Sequence, residues 1–316
     1  MPIHYQAALG RALSALSDTG ASAERLLAKV PSASTPPAVQ LVDPAIPWDW
    51  PTLGPNQISR QQFEFCDTQP TSCAPGVPFT SGLGSFSKAY QDFLRLIDAA
   101  KFQPLELLTQ ARQAATPPSY SPADAAGPAG WVVVPDSGGK DAFRPEWSVS
   151  LTPALWRLDD QPLLSQASGL TGFATGSAYA ASLDAALQDA QVSATDVVRV
   201  LVYPGAWFSD VMVRLTASGP FLGTFTPEAV VGPQGILRCC ITEFFVARGL
   251  TAAATLRQAN EPRLRSHLAS SDARFGPLMA TSATLTTAPD SGGIRATLAA
   301  SPDVPFIVGV TVTPVG

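Results

Sequence analysis

The spacing of apolar residues divides the chain near residue 125. Before that point the repeat is helical or broken, and after it apolar and polar positions tend to alternate. Across residues 86–102, Phe86, Tyr90, Phe93, Leu94, Ile97 and Phe102 recur every three or four positions and so fall near one helix face. Pro104 suits the first turn of a second helix through LELLTQARQAA, which stops at Pro117-Pro118. A helical hairpin is therefore predicted over 86–115. Tyr5, Leu9, Leu13 and Leu16 predict one or two short helices over 4–30, with a break at Thr19-Gly20. Residues 31–84 are punctuated by proline and read as extended or looped.

From Trp131 the period moves towards two. WVVVP and EWSVSLTPALWRL read as strands. Residues 177–190 predict a helix with Tyr179, Leu183 and Leu187 on one stripe. The run over 197–250 follows, as VVRVLVYPGAWFSDVMVRL, a Gly/Pro-rich spacer, and GILRCCITEFFVARGL. Its β-branched and aromatic residues, broken by turn residues, are the pattern of a buried sheet. PDSGG at 135–139 and again at 289–293 is hairpin-turn chemistry, because glycine takes positive φ without steric cost. A less ordered break is expected over 258–275. The last strand, PFIVGVTV, is almost wholly apolar and should be central.

These patterns give an α+β fold. N-terminal helices and a Pro-rich extended segment, over 1–125, pack on or beside a mainly antiparallel, β-sandwich-like part over 126–316. A parallel α/β fold is the alternative, with 177–190 as its crossover helix.

Composition narrows the function classes. Apolar residues make up 46% and charged residues only 14%, which excludes a long disordered acidic chain. The net charge is −5 and no Lys/Arg cluster is interleaved with aromatics, so nucleic acid is not an expected partner. The 30 prolines, about twice the usual share, signal many irregular connections. No apolar run reaches the ~18 residues of a membrane span. The first residues lack the pattern of a cleaved leader, so a cytoplasmic location is the default expectation, with export by a route without a cleaved signal left open.

Reactive chemistry is sparse. There are two histidines, and none lies between His4 and His267, so neither a metal centre nor a cofactor is expected. Cys239 and Cys240 are adjacent in a strand-like run and point to opposite faces. Cys66 and Cys73 enclose a turn-rich loop where a disulfide is sterically allowed, although a reducing compartment favours free thiols. His267, with Ser266 and Asp272 close by, is a weak catalytic candidate, and no G-x-S-x-G elbow supports it. SGGK at 137–140 and GLGSFS at 82–87 lack the phosphate-loop and dinucleotide frames and read as turns. Glu243 is the other weak catalytic candidate. It lies among apolar strand residues, so it must be paired, hydrogen-bonded or protonated. Arg199 and Arg214, on neighbouring predicted strands, are its expected partners. A glycosidase would need a second acid, for which Asp159, Asp160 and Asp210 stand as candidates. The candidate binding residues are aromatic. Trp48 and Trp50 in PWDWP, and Trp207 and Phe208 after a Pro-Gly turn, either dock inside the molecule or present a contact surface.

The strand ending in PGAWF, the strand EFFVARGL and the closing PFIVGVTVTP resemble features of a loose group of uncharacterised bacterial and fungal proteins. The resemblance covers residues 197–316. It implies a C-terminal β-domain and brings no activity and no catalytic residue to this chain.

The expected function is a non-enzymatic binding or self-assembling protein whose partner is another protein or a second copy. A hydrolase using Glu243 with an aspartate is the alternative. A membrane-active effector, touching lipid without a spanning segment, is the third reading.

Overall fold

The computed structural model describes residues 37–47, 60–75, 77, 79–116, 120, 130–135, 144–151, 157–158, 161–162, 187–269, 274–275, 278–279, 281–288 and 292–315. In chain order they form β1 (Ala38–Pro47), α1 (Arg60–Cys66), β2 (Thr68–Pro70), β3 (Ser81–Ser85), α2 (Phe86–Leu96) and α3 (Leu105–Ala114). Next come β4 (Trp131–Pro135), β5 (Arg144–Leu151), β6 (Arg157–Leu158), β7 (Gln161–Pro162), β8 (Leu187–Pro204), α4 (Asp210–Leu215), α5 (Pro227–Val230), β9 (Cys239–Arg248) and β10 (Thr251–Arg257). The chain closes with α6 (Glu261–Leu268), β11 (Arg274–Phe275), β12 (Leu278–Met279), β13 (Ser282–Ala288), β14 (Gly293–Ala299) and β15 (Phe306–Pro314).

The 18-residue β8 organises a nine-stranded sheet, in the order β1-β15-β9-β8-β10-β14-β13, with β4 and β5 along the opposite edge of β8. β9 and β10 run end to end beside it, because Arg248 lies opposite Asp196 and Thr251 opposite Ser193. Gly249 joins them at φ +58°, and a Cβ there would stand 2.1 Å from Thr195 Oγ1. Only glycine meets both conditions. Every pairing between these strands is antiparallel, which gives the parallel alternative no support among the described residues. β15 lies between β1 and β9, as its apolar sequence predicted.

Successive β8 residues serve opposite faces. Val198, Val200 and Val202 join Phe244, Val246, Val310 and Val312 in one core, covered by Phe86, Tyr90 and Phe93 of α2, Leu108 of α3 and Met212 of α4. Val197, Phe245 and Ala247 face a second core with Leu41, Ala252, Ile294, Leu298, Leu264 of α6 and Leu278. The fold is thus β-rich and mixed. Helices, and not a second large sheet, cover the first face among the described residues. β1, from the proline-rich stretch, lies at the sheet edge on β15, and the first core draws on residues from both sides of position 125.

The helical hairpin is present. Ser85 caps α2 by accepting from the Lys88 amide at 3.1 Å, and Pro104 stands at the N-cap of α3. Arg112 of α3 donates to the carbonyls of Leu94 and Ile97, satisfying acceptors that the end of α2 leaves open. Of the two PDSGG runs predicted as hairpin connections, the one at 289–293 joins β13 to β14, where Ala288 is opposite Gly293.

Three expectations need correction. The stretch DVMVRL is helix α4 and not a strand, because the Ser209 side chain accepts from the Met212 amide and nucleates a turn before alternation can extend. Residues 187–190, expected at the end of a helix, belong to β8, where they pair with β10 or β5. Part of the break expected over 258–275 is a short 3₁₀ turn followed by α6. Residues 4–30, 177–186 and the turn at 136–139 lie outside the described residues.

Candidate functional site

Glu243 lies in β9 at 2% exposure, and Arg199 lies in β8 at 5%. Arg199 is opposite Phe245, and Leu201 is opposite Glu243, so the two charged side chains are diagonal neighbours on one face. Arg199 Nη2 donates to Glu243 Oε1 at 2.5 Å, and Thr311 Oγ1, directly across in β15, donates to Oε2 at 2.7 Å. The register of β9 on β15 slips beside this site, with Thr311 opposite Glu243 but Val312 opposite Ile241. Thr242 is therefore the extra residue of a bulge, and its hydroxyl lies 2.8 Å from that of Thr313. The arrangement links β8, β9 and β15 through one carboxylate whose two oxygens are both engaged. The other expected partner, Arg214, is on α4, where it pairs with Asp210 one turn away. Asp159 and Asp160 lie outside the described residues.

His267 is buried on α6, on the face shared with Leu264, whereas the adjacent Ser266 is exposed. Neighbours on a helix point about 100° apart, so this serine does not face that imidazole. Asp272 lies outside the described residues.

Trp207 is buried, and its indole N–H donates to the Gly130 carbonyl at 2.8 Å. Trp131 meets it edge-on at 5.5 Å between ring centroids, and Phe86 and Tyr90 stand at 6.2 and 6.1 Å. Phe208 is half-buried, with its ring 4.7 Å from Tyr90. The turn that positions them is closed by the Phe208 amide donating to Gly205 O, so Ala206 and Trp207 are its central residues and not Pro204 and Gly205. The Tyr90 hydroxyl accepts from the Ser209 amide at 3.0 Å, and burial pushes its pKa up to about 12. Trp48 and Trp50 lie outside the described residues.

A cleft of about 410 Å3 opens beside α1 and the β2–β3 hairpin, lined by Phe63, Glu64, Asp67, Thr68, Ser81 and Ser85 among others. Asp67 belongs to the start of α2, because its two carboxylate oxygens accept from the amide and the hydroxyl of Ser87 at 2.8 and 2.7 Å. Burial raises the Asp67 pKa, and the bonds from Ser87 oppose that rise. A carboxyl whose folded pKa exceeds its unfolded value contributes fully below the unfolded value, and that contribution fades as pH rises through the folded one. Asp67→Asn, which does not titrate, is therefore expected to gain on the wild type from acid to neutral pH. Urea midpoints of both proteins at a series of pH values check this, and a gap that moves the other way contradicts it.

A different surface is apolar. Val211 and Leu215 of α4, Leu105 of α3, and Leu222 and Phe225 just after α4 are 43–50% exposed. These elements pack on one another. α3 touches α4, the Leu222 amide donates to Leu96 O, and Phe221 forms a bridge with Ile97.

No protein-family model matches the chain, and no curated protein matches it. Among solved structures, one similar to it is a bacterial gasdermin from Bradyrhizobium tropiciagri, with 16% identity and a TM-score of 0.24 over 58% of this chain. The match spans 64% of that chain's length, and similarity at this level carries no argument about fold or activity.

Of the residues singled out by sequence, the structure joins Glu243 to Arg199 and joins Trp207 and Phe208 to the α2 aromatics. It pairs Asp210 with Arg214 and not with Glu243. The apolar pattern alone hides the exposed residues of α4, because VMVRL reads as a buried strand. The Ser209-Asp210 pair before it is a helix-start signal that could have exposed them.

Proposed function

We propose that the chain is a non-enzymatic, self-assembling protein whose contact surface is the apolar rim of α3, α4 and the segment after α4. One observation carries the reading: five large apolar side chains are 43–50% exposed on elements that pack together. Scattered exposed apolar residues are ordinary, whereas gathered ones mark contact surfaces. The occupant proposed is a second copy. Charges on and beside the rim have both signs, with Asp210 and Arg214 on α4, Glu228 on α5 and Lys101 before α3. A symmetric pairing of such a surface with itself can set opposite charges face to face. The low charge density of the whole chain favours the same outcome. The carboxylate at Glu243, with both oxygens engaged inside the sheet, supports a scaffold role for the interior.

Light scattering on the eluting protein is expected to give a mass well above 33 kDa that grows with concentration. A monomer at every concentration contradicts the proposal. A monomer that also releases dye from liposomes assigns the same rim to lipid instead.

A further inference from the structure

We propose that Cys73 and Cys239 form a reversible disulfide with a low-molecular-weight disulfide as oxidant, pinning the loop after β2 to the start of β9. All four cysteines are free thiols in the structure, and Cys73 and Cys239 each point their thiol at the backbone of the segment that carries the other. The segments carrying them are tied reciprocally. Cys73 Sγ donates to Arg238 O at 3.5 Å, Cys239 Sγ donates to Pro70 O at 3.8 Å, and Arg238 Nη1 donates to Thr71 O at 3.4 Å. Gln40 of β1 holds the same loop, donating to Ser72 O at 2.9 Å and Ala74 O at 3.0 Å. The two segments are thus held together from three directions, which limits the backbone movement a bond between them would need.

The two sulfurs differ in role. Cys73 stands at the surface end, 5% exposed beside the exposed Ala74 and Pro75, while Cys239 is fully buried. The neighbouring Cys239 thiol and the Arg238 charge lower the Cys73 pKa against its burial, while the neighbouring Cys73 and burial raise that of Cys239. Cys73 is therefore the attacking thiolate. It attacks one sulfur of the small disulfide, forms a mixed disulfide and releases one thiolate. Cys239 then attacks the Cys73 sulfur and releases the second. Two electrons pass to the oxidant, and the two thiol protons go to the two thiolates released. Cys66 and Cys240 are buried elsewhere in the core, and burial raises both of their pKa values.

Folded wild-type protein treated with glutathione disulfide and digested with trypsin without reduction tests this. The peptide 61–88, which contains Cys73, is expected to be joined to the peptide 239–248, and two of the four thiols should disappear and return with dithiothreitol. Each peptide holds a second cysteine, so the link must persist in Cys66→Ala and in Cys240→Ala and vanish in Cys73→Ala. A stable glutathione adduct at Cys73 without the link, a bond between Cys66 and Cys73, or unchanged thiols would overturn the proposal.

Discussion

Glu243→Ala is expected to lower stability by about 3–5 kcal/mol, the cost of stranding one member of a buried ion pair. Arg199 stays inside the sheet at 5% exposure, and its partner carboxylate is gone. The Thr311 hydroxyl also loses its acceptor, which adds the smaller cost of an unmet buried donor. The double replacement Arg199→Met with Glu243→Leu is expected to recover much of the loss, because neither buried charge remains and apolar residues of similar volume fill the site. Urea denaturation of the two single variants and the double variant measures the coupling directly. A cost for Glu243→Ala within the ±0.5 kcal/mol usual for surface changes would mean that water reaches the carboxylate. That outcome favours the reading of Glu243 as a hydrolase carboxylate.

Trp207→Ala is expected to cost about 3–5 kcal/mol, the range for truncating a large buried aromatic residue. Its ring touches Trp131, Phe86 and Tyr90, which come from β4 and α2. Its N–H donates to the Gly130 carbonyl, which keeps the Gly205 amide as a second donor, so the lost bond adds little beyond the packing cost. Phe208→Ala should cost clearly less, because that ring is only half-buried. The urea midpoints of the two variants make the comparison. An equal or larger effect at Phe208 contradicts the assignment of Trp207 as the anchor.

Much of the architecture was legible in the pattern of the chain. The apolar stripe of α2 appears as buried Phe86, Tyr90, Phe93 and Leu94, and the unbroken PFIVGVTV run lies inside the sheet as β15. Both signals are local and periodic, so they need no knowledge of partners. The pairing of Arg199 with Glu243 was legible in half, since the need for a cation followed from burial but the choice between Arg199 and Arg214 did not. That choice depends on α4, whose four apolar residues in a row-and-gap pattern fit a strand as well as a short helix, and whose cap decides between them. The slip of β9 against β15 at Thr242 could not be read at all, because it depends on pairing between residues almost seventy positions apart. The meeting of Cys73 with Cys239 is of the same kind. Nearness in sequence points to Cys66, whereas Cys73 lies against Arg238 at the start of β9, far along the chain.

Sedimentation velocity across a wide concentration series, comparing the wild type with Leu215→Glu/Phe225→Glu, is the most direct measurement of whether this chain acts through its apolar rim. The wild type is expected to sediment faster as concentration rises, while the double variant, equally folded by circular dichroism, sediments as a monomer throughout. Identical association of the two proteins, or a wild type that never associates, would contradict the account.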